Sequence, residues 1–294
     1  MHPLIQQLVS CGPVITDGAW GTELQARGLA LGDFPDAWNL THPDRVGEVA
    51  RSYVEAGSQV ILTNTFGANR IRLGEHEAAD HLAEINARGV EISLKAASGR
   101  ARVFASIGPT GKLLMSGEVT AAELRMAFSE QAQALAQARP DGLVVETMSD
   151  LEEAKLAVSA ARETGLPVVA CMVFDCGKHK DRTMMGTTPE QAAQALTEAG
   201  ADVIGANCGQ GIAGFIAICR RLHAATDRPV WIKANAGLPT MVDGRARYSA
   251  TPDEFAGYIP ELIQAGASFI GGCCGTRPDF IAAISQRLVA ARGP

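Results

Sequence analysis

Two adjacent cysteines near the end of the chain, Cys273 and Cys274, lie between glycines and directly follow a short apolar run. The run predicts a buried strand, and the Arg-Pro after the cysteines predicts the start of a helix. A third cysteine, Cys208, follows another such run earlier in the chain. Three thiolates at strand ends are typical of a catalytic zinc site, because soft sulfur ligands select zinc and three protein ligands leave the fourth position open.

Two other interpretations of these thiols stay open. Neighbouring cysteines can form a vicinal disulfide, although their Cβ atoms diverge along a strand and disulfide geometry is demanding. Small thiols also pack inside strands, but the glycines around Cys273 and Cys274 indicate that another group approaches closely there. We therefore predict a Zn²⁺ cofactor bound by Cys208, Cys273 and Cys274. The remaining cysteines are expected to be free thiols: Cys11, Cys171, Cys176 and Cys219.

Short β-rich runs alternate with helical patterns along the whole chain. The predicted strands are Val14–Thr16, Val60–Thr63, Val103–Ser106, Leu143–Glu146, Val168–Val173, Val203–Ala206, Val230–Ala234 and Phe269–Gly271. The predicted helices are Pro43–Ala56, Ala78–Ala97, Ala121–Ala138, Leu151–Glu163, Pro189–Ala199, Ile212–Ala224, Pro252–Ala265 and Pro278–Ala291. Strict alternation implies a parallel sheet. We predict an α/β fold, a single (β/α)8 TIM barrel formed by one domain, residues 1–294.

Composition excludes several classes of protein. The 294 residues are 47% hydrophobic, enough to bury a large core, and the net charge of −6 gives no basic field for nucleic acid. The sequence has no apolar stretch of 18 residues, so we expect no membrane span. An odd number of cysteines without a signal peptide favours a cytoplasmic protein. The sequence is compatible with a monomer or a homo-oligomer.

Polar residues follow most of the predicted strands, at the end where a barrel of this kind carries its active site. Asp17 follows the first strand, and Glu146 ends the fourth. A carboxylate buried at a strand end is costly unless it is paired. We expect Asp17 and Glu146 to hold a cation such as the α-ammonium of a substrate. The alternative is that either one caps a helix or pairs with Lys233 or an arginine.

The polar motifs, taken together, resemble those of the homocysteine S-methyltransferase family. They are Asp-Gly-Ala-x-Gly-Thr, Thr-Asn-Thr-Phe-Gly-Ala-Asn, Gly-Pro-Thr-Gly, Glu-Thr-Met, Asn-Cys, Asn-Ala-Gly-x-Pro and Gly-Gly-Cys-Cys-Gly-Thr, in order from Asp17 to Pro278. The resemblance implies a zinc-dependent barrel that methylates homocysteine to methionine, with Cys208, Cys273 and Cys274 as ligands. It also implies a homocysteine site at Asp17, Gly18 and Glu146, to which we add Asn235.

In such a reaction, zinc lowers the pKa of the substrate thiol, and the thiolate attacks an activated methyl group, so that no protein nucleophile is needed. We expect the donor to be betaine or another small onium compound. Trp20, Trp38 and Phe66 lie on or near the predicted rim, and aromatic faces bind quaternary ammonium groups. Packing of the loops is the alternative role for the two tryptophans.

Two further features bear on the donor. Several segments look like those of bacterial betaine–homocysteine methyltransferases, yet Thr147 stands where animal betaine enzymes carry a tyrosine. The alternative function is a homocysteine-binding methyltransferase subunit that takes its methyl group from methylcobalamin or from a separate methyl-corrinoid protein. A surface for that partner would then be needed around the rim of the barrel.

Overall fold

The computed structural model describes residues 1–242 and 245–292. The strands are β1 (Val14–Ile15), β2 (Val60–Ile61), β3 (Arg102–Ile107), β4 (Gly142–Met148), β5 (Val168–Met172), β6 (Val203–Gly211), β7 (Val230–Asn235), β8 (Thr240–Val242), β9 (Arg245–Arg247) and β10 (Ala267–Gly272). In this part of the chain, eight of them form one parallel sheet in the order β1-β10-β7-β6-β5-β4-β3-β2. A parallel bridge between Thr16 and Val60 joins the two edge strands. The sheet is therefore a nearly closed (β/α)8 barrel, as predicted.

Helices surround the sheet. They are α1 (Pro3–Val9), α2 (Trp20–Ala26), α3 (Trp38–Thr41), α4 (Pro43–Glu55), α5 (Arg70–Gly74), α6 (Leu82–Ala97), α7 (Ala121–Gln137), α8 (Leu151–Arg162), α9 (Pro189–Glu198), α10 (Ile212–Ala225), α11 (Pro252–Gly257), α12 (Ile259–Gln264) and α13 (Pro278–Arg292). Single turns of 3-10 helix occur at Pro35–Ala37, Ala79–His81 and Leu114–Ser116. Of the helices in the described residues, none has the length and apolar character needed to cross a membrane.

Local sequence signals mark both ends of several helices. Thr188 and Thr251 form capping boxes at the starts of α9 and α11, where each threonine side chain accepts a hydrogen bond from the third helical amide. Gly57, Gly200 and Gly266 have φ values of 102°, 98° and 104°. Because only glycine adopts this conformation at low cost, each of these positions ends a helix and turns the chain into the next strand.

Several features were not predicted, among them the short helices α2, α3 and α5. Helix α1 precedes the first strand, and β8 and β9 form a separate antiparallel hairpin after β7. The helix expected over Pro252–Ala265 is divided at Tyr258 into α11 and α12. Pro260 explains this division. Its backbone nitrogen carries no hydrogen to donate, and its ring would clash with the preceding turn of a continuous helix.

The interior of the barrel is filled by side chains from the strands and from α1. Trp231 stacks between Phe104 and Phe269, with ring centroids 6.3 and 5.1 Å away. Ile5 of α1 is fully buried in the same cluster, which includes the strand-start residues Val14, Val60, Val144, Val169 and Val203. Helix α1 therefore closes the N-terminal end of the barrel, opposite the end that carries the polar residues.

Replacement of Ile5 by alanine tests this closure. We expect Ile5→Ala to lower the free energy of unfolding by about 2 to 5 kcal/mol, because the change removes buried methyl groups and leaves a cavity under the strands. The control is Gln7→Ala, an exposed position on the same helix, which should change stability little. Urea unfolding followed by circular dichroism measures both. Equal stability of the two variants would mean that α1 does not close the barrel.

Candidate metal and substrate site

The three predicted cysteines meet at the C-terminal end of the barrel. The Sγ atoms of Cys208, Cys273 and Cys274 all lie within 4.8 Å of one another, and those of Cys208 and Cys274 are 3.8 Å apart. The three thiols are free rather than joined in a disulfide. The four remaining cysteines are free thiols as well, as expected.

Backbone geometry turns these sulfur atoms toward one another. Cys208 has a φ of 62°, a left-handed conformation that is uncommon for a residue other than glycine. This conformation bends the end of β6. The amide of Cys273 donates to the carbonyl of Ala234 at 2.7 Å, and the carbonyl of Cys274 accepts from the amide of Ala236 at 2.9 Å. The paired cysteines are thus held against the end of β7.

The glycines before the paired cysteines were expected to leave room for another group, and the structure shows which group this is. A Cβ atom on Gly271 would overlap the side chain of Thr16, and one on Gly272 would overlap the side chain of Thr276. The group that approaches closely is therefore the protein itself. The glycines let β10 lie directly against β1 and let the turn at 273–276 fold back on the strand.

The three thiols titrate as one coupled group. Hydrogen bonds between their sulfur atoms lower the pKa of Cys208 and raise the pKa values of Cys273 and Cys274. Either sulfur of the Cys208–Cys274 pair can be the donor. The contacts between the sulfur atoms therefore favour the presence of a thiolate in the cluster.

The donor set fits a zinc ion. Soft sulfur atoms at this spacing are the ligands that zinc prefers, and a divalent cation would stabilise further thiolates that otherwise repel one another. A second observation is the side chain of Asn235, which is 4% exposed and lies beside Cys208, where it lowers the pKa of that thiol. Within the described residues, Asn235 Oδ1 has no hydrogen-bond partner. Buried oxygens are normally paired, so this orphan also points to a missing cation.

A cavity of about 390 Å³ opens beside the cysteines. Besides the three cysteines, it is lined by residues from the loops after β1 and β2 and from the ends of β3, β4 and β7: Gly18, Ala19, Trp20, Gly21, Thr22, Leu24, Phe34, Pro35, Asp36, Leu62, Thr63, Asn64, Phe66, Gly67, Arg72, Ser106, Glu146, Thr147, Lys233 and Gly272. Of the residues predicted for homocysteine, Gly18 and Glu146 are in this lining. Its size suits a small amino acid together with a small second substrate.

Glu146 presents a buried carboxylate to the cavity. Its side chain accepts a hydrogen bond from the hydroxyl of Ser106 at 2.5 Å and a longer one, of 3.4 Å, from the amide of Asn207. Burial raises the pKa of Glu146, whereas the charge of Lys233 and the Ser106 hydrogen bond lower it. A cationic ligand in the cavity would favour the ionised form of this carboxyl group.

Asp17 lies behind the cavity wall and contacts a protein cation. Its carboxylate pairs with Lys233 at 2.5 Å and also accepts hydrogen bonds from the Trp20 indole and the Leu62 amide, both at 2.7 Å. Burial opposes the charge on Lys233, but Asp17 and Glu146 more than offset this effect, and the pKa of Lys233 is raised. Of the two roles weighed for Asp17 from the sequence, the structure favours the pairing with Lys233.

The predicted aromatic residues divide into two groups. Trp20 and Phe66 line the cavity, and Phe66 is 41% exposed at its mouth. Trp38 is buried elsewhere, with its ring stacked on His42 at 4.6 Å and the guanidinium carbon of Arg45 at 5.4 Å from the ring centroid. The structure therefore favours the packing role for Trp38 and leaves Trp20 and Phe66 as candidates for donor contact.

Residues that hold the site together were not identified from the sequence. Asn207, which directly precedes Cys208, bonds to both the amide and the hydroxyl of Thr147 at 2.8 and 2.7 Å and reaches the sulfur of Cys273 at 3.8 Å. Thr147 itself has a φ of 62°. Asn207 is part of the Asn-Cys motif and could have been singled out from the sequence. Its contacts could not, because they join β6 to β4, and β5 lies between these two strands.

Comparison with known proteins gives a consistent picture. The family model described as homocysteine S-methyltransferase matches residues 14–288. Methionine synthases of Mycobacterium tuberculosis and Mycobacterium leprae are each 33% identical to the chain, over 96% and 94% of its length. The chain spans about a quarter of the length of these relatives. Betaine–homocysteine S-methyltransferase 1 of Bos taurus is 29% identical over 99% of the chain and 75% of that protein.

Solved structures support the fold. The metallated form of the homocysteine methyltransferase MmuM from Escherichia coli superposes with a TM-score of 0.82, covering 97% of this chain and all of that one, at 24% identity. The oxidised form of the same protein gives a TM-score of 0.81. These similarities extend over the whole barrel rather than over one part of it.

Single replacements of the three cysteines test the metal site. We expect Cys208→Ser, Cys273→Ser and Cys274→Ser each to reduce zinc content far below about one ion per chain, because removal of one of three sulfur ligands leaves an incomplete site. Cys11→Ser, at an exposed thiol, is the control and should retain zinc. Metal analysis after dialysis measures occupancy. Full zinc in any of the three variants would remove that cysteine from the ligand set.

Proposed function

As a member of the homocysteine S-methyltransferase family, this chain is a methyltransferase, and we propose that it methylates homocysteine to methionine with a zinc ion held by Cys208, Cys273 and Cys274. The cluster of three sulfur atoms beside a cavity that is lined by the buried carboxylate of Glu146 is the observation that carries the proposal. Zinc in such a site lowers the pKa of the substrate thiol and so supplies a thiolate at neutral pH. Three sulfur ligands would leave such an ion able to bind the sulfur of homocysteine, and the side chain of Asn235 lies beside Cys208 at the same place.

The charges at the strand ends indicate where the amino-acid end of homocysteine would bind. Lys233 neutralises Asp17, so the carboxylate of Glu146 is left for a ligand. Ser106 donates to one oxygen of Glu146, the amide of Asn207 lies 3.4 Å from the other, and the residue lines the cavity. The α-ammonium of homocysteine fits this position. Gly18, which lines the cavity next to Asp17, would lie beside the same part of the substrate.

The protein's part in the reaction is to orient the substrates. With the ammonium held at Glu146 and the sulfur at the cysteines, the thiolate faces the rest of the cavity. The sulfur attacks the methyl carbon of the donor, the new carbon–sulfur bond forms, and the electron pair of the broken bond returns to the donor heteroatom. The apolar lining from Trp20, Leu24 and Leu62 excludes water from this part of the cavity.

The donor side of the cavity favours a small onium compound. Trp20, Phe34 and Phe66 line it together, and aromatic faces attract a desolvated quaternary ammonium or sulfonium group. The indole of Trp20 is fixed by its bond to Asp17. The positive charge is lost when the methyl group leaves, so the product is held less strongly than the donor.

A second candidate donor is a methyl-corrinoid, free or protein-bound. Six large apolar side chains on the segments that follow the barrel strands are exposed: Leu31, Phe66, Met115, Met184, Leu238 and Met241, at 41% to 82%. Of these, Phe66 lines the cavity. Exposed apolar side chains at the end of the barrel that carries the site would suit a surface that another molecule covers. The similarity to methionine synthases, which are about four times as long, points in the same direction.

Replacement of Glu146 by glutamine tests the homocysteine site. We expect Glu146→Gln to raise the homocysteine KM about 10- to 100-fold, because a hydrogen bond between two charged groups is lost, while zinc content stays normal. The control is Glu152→Gln, an exposed position at the start of α8, which should leave the KM unchanged. Steady-state methionine formation measures both. An unchanged KM in Glu146→Gln would return Glu146 to a structural role.

A panel of donors decides between the two candidates. We expect methionine to form from homocysteine with betaine, S-methylmethionine or a dimethylsulfonium compound. Trp20→Leu should weaken binding of the active donor by up to roughly 30-fold through loss of up to about 2 kcal/mol of cation–π attraction. Trp20→Phe, which keeps a π face without the indole N–H, is the matched control. Turnover with methylcobalamin alone would establish the corrinoid alternative.

A further inference from the structure

Asp36 is a buried carboxylate in the cavity wall that the steps described so far do not use. It is 3% exposed and lies in the 3-10 turn after α2, on the β1–β2 side of the cavity. Among residues 1–242 and 245–292, it belongs to no ion pair, and one other residue, Gly67, donates a hydrogen bond to it, at 2.9 Å. A buried carboxylate without a counter-ion is costly, so Asp36 is either neutral or stabilised in its charged form by a cationic ligand.

The surroundings of Asp36 specify what kind of cation fits. A Cβ atom on Gly67 would lie 3.0 Å from the ring of Phe34 and 3.2 Å from Oδ2 of Asp36, so the ring and the carboxylate both lie against Gly67. Phe66 lines the cavity next to them. A hydrated metal ion needs several oxygen ligands, which this position does not offer. Aromatic faces beside one carboxylate instead suit a methylated onium group.

A cationic side chain stands at the same side of the cavity. Arg72 of α5 lines the cavity, and its side chain is 39% exposed. Its charge acts on Asp36, whose pKa is raised to about 7 overall, because burial outweighs the lowering by the Gly67 amide and by the charge of Arg72. Arg72 pairs with Glu75 at 2.9 Å, but Glu75 also pairs with Lys112 at 2.6 Å. Arg72 can therefore contact a ligand without leaving Glu75 unpaired.

We propose that Asp36 and Arg72 determine donor specificity: the Asp36 carboxylate contacts the positive charge of the methyl donor, and the Arg72 guanidinium contacts a carboxylate on the same molecule. The donor is then a small zwitterion rather than a simple alkylammonium salt. This assignment rests on the proposed transfer from an onium compound. It adds two charged contacts to a donor site that otherwise consists of aromatic rings.

Three probes separate the two contacts: betaine and 3,3-dimethylbutanoate have nearly equal shape, and tetramethylammonium presents the methylated cation without the carboxymethyl group. Betaine carries both charges, tetramethylammonium only the positive one, and 3,3-dimethylbutanoate only the negative one. Calorimetric titration of the zinc-loaded protein gives each affinity without turnover. We expect Asp36→Asn to weaken betaine and tetramethylammonium about 10-fold or more and to leave 3,3-dimethylbutanoate nearly unchanged. Asparagine retains an oxygen that can accept the hydrogen bond from Gly67, so the change tests charge rather than loop structure.

Arg72→Gln should give the complementary pattern, with weaker binding of betaine and 3,3-dimethylbutanoate and unchanged tetramethylammonium. Asp33→Asn and Arg70→Gln, exposed positions on the same loop and the same helix, are the controls for net charge. Equal affinity of the wild-type protein for betaine and 3,3-dimethylbutanoate, no binding of any probe, or unchanged betaine affinity in Asp36→Asn would each overturn the assignment. Methionine formation from an onium donor in Asp36→Asn with unaltered KM would overturn it while leaving the proposed function intact. Failure of every onium donor in the panel would instead refute methyl transfer from an onium compound, and the binding data would still decide on the two contacts.

Discussion

The buried ion pair between Asp17 and Lys233 is the interaction on which the site depends. Each charge alone would cost several kcal/mol in this interior, and the pairing offsets much of that cost because further hydrogen bonds satisfy the carboxylate. These bonds join β1 to Trp20 at the start of α2, to the chain after β2, and to β7. One side chain thus fixes four elements around the cavity. Because Lys233 pairs with Asp17, Glu146 forms no ion pair with it and can contact a ligand in the cavity.

The two ends of the proposed homocysteine site share one rigid frame. Asn207 extends from the end of β6 to Thr147 and Glu146 on β4, and its amide also reaches the sulfur of Cys273. A substrate held at both ends has its reacting atom placed by the protein rather than by chance, and small errors in placement reduce rates strongly. The buried amide of Asn207 therefore matters for spacing as well as for stability.

The sequence predicted the fold well because the barrel is built from repeated local signals: buried β runs, capped helices and glycine helix ends. It did not predict the break at Tyr258, where one proline outweighs a helical pattern, or the hairpin after β7. Within the site, the cysteines were recognisable from their own chemistry and spacing. The roles of Asp17, Trp38 and Asp36 were not, because they depend on which partner lies opposite each side chain. Whether Asp17 contacts Lys233 or a ligand, and whether Trp38 contacts Arg45 or a donor, depends on how distant segments of the chain pack together.

The left-handed backbone at Cys208 sets a limit on how stable this protein can become. For a residue with a Cβ atom, that conformation costs about 1 to 2 kcal/mol, whereas glycine would adopt it freely. A search for more stable variants would therefore favour glycine at position 208 and would remove a sulfur atom from the cluster. Stability and the position of a sulfur ligand therefore make opposite demands on residue 208. The folded state keeps a local backbone strain because that strain places the thiol of Cys208.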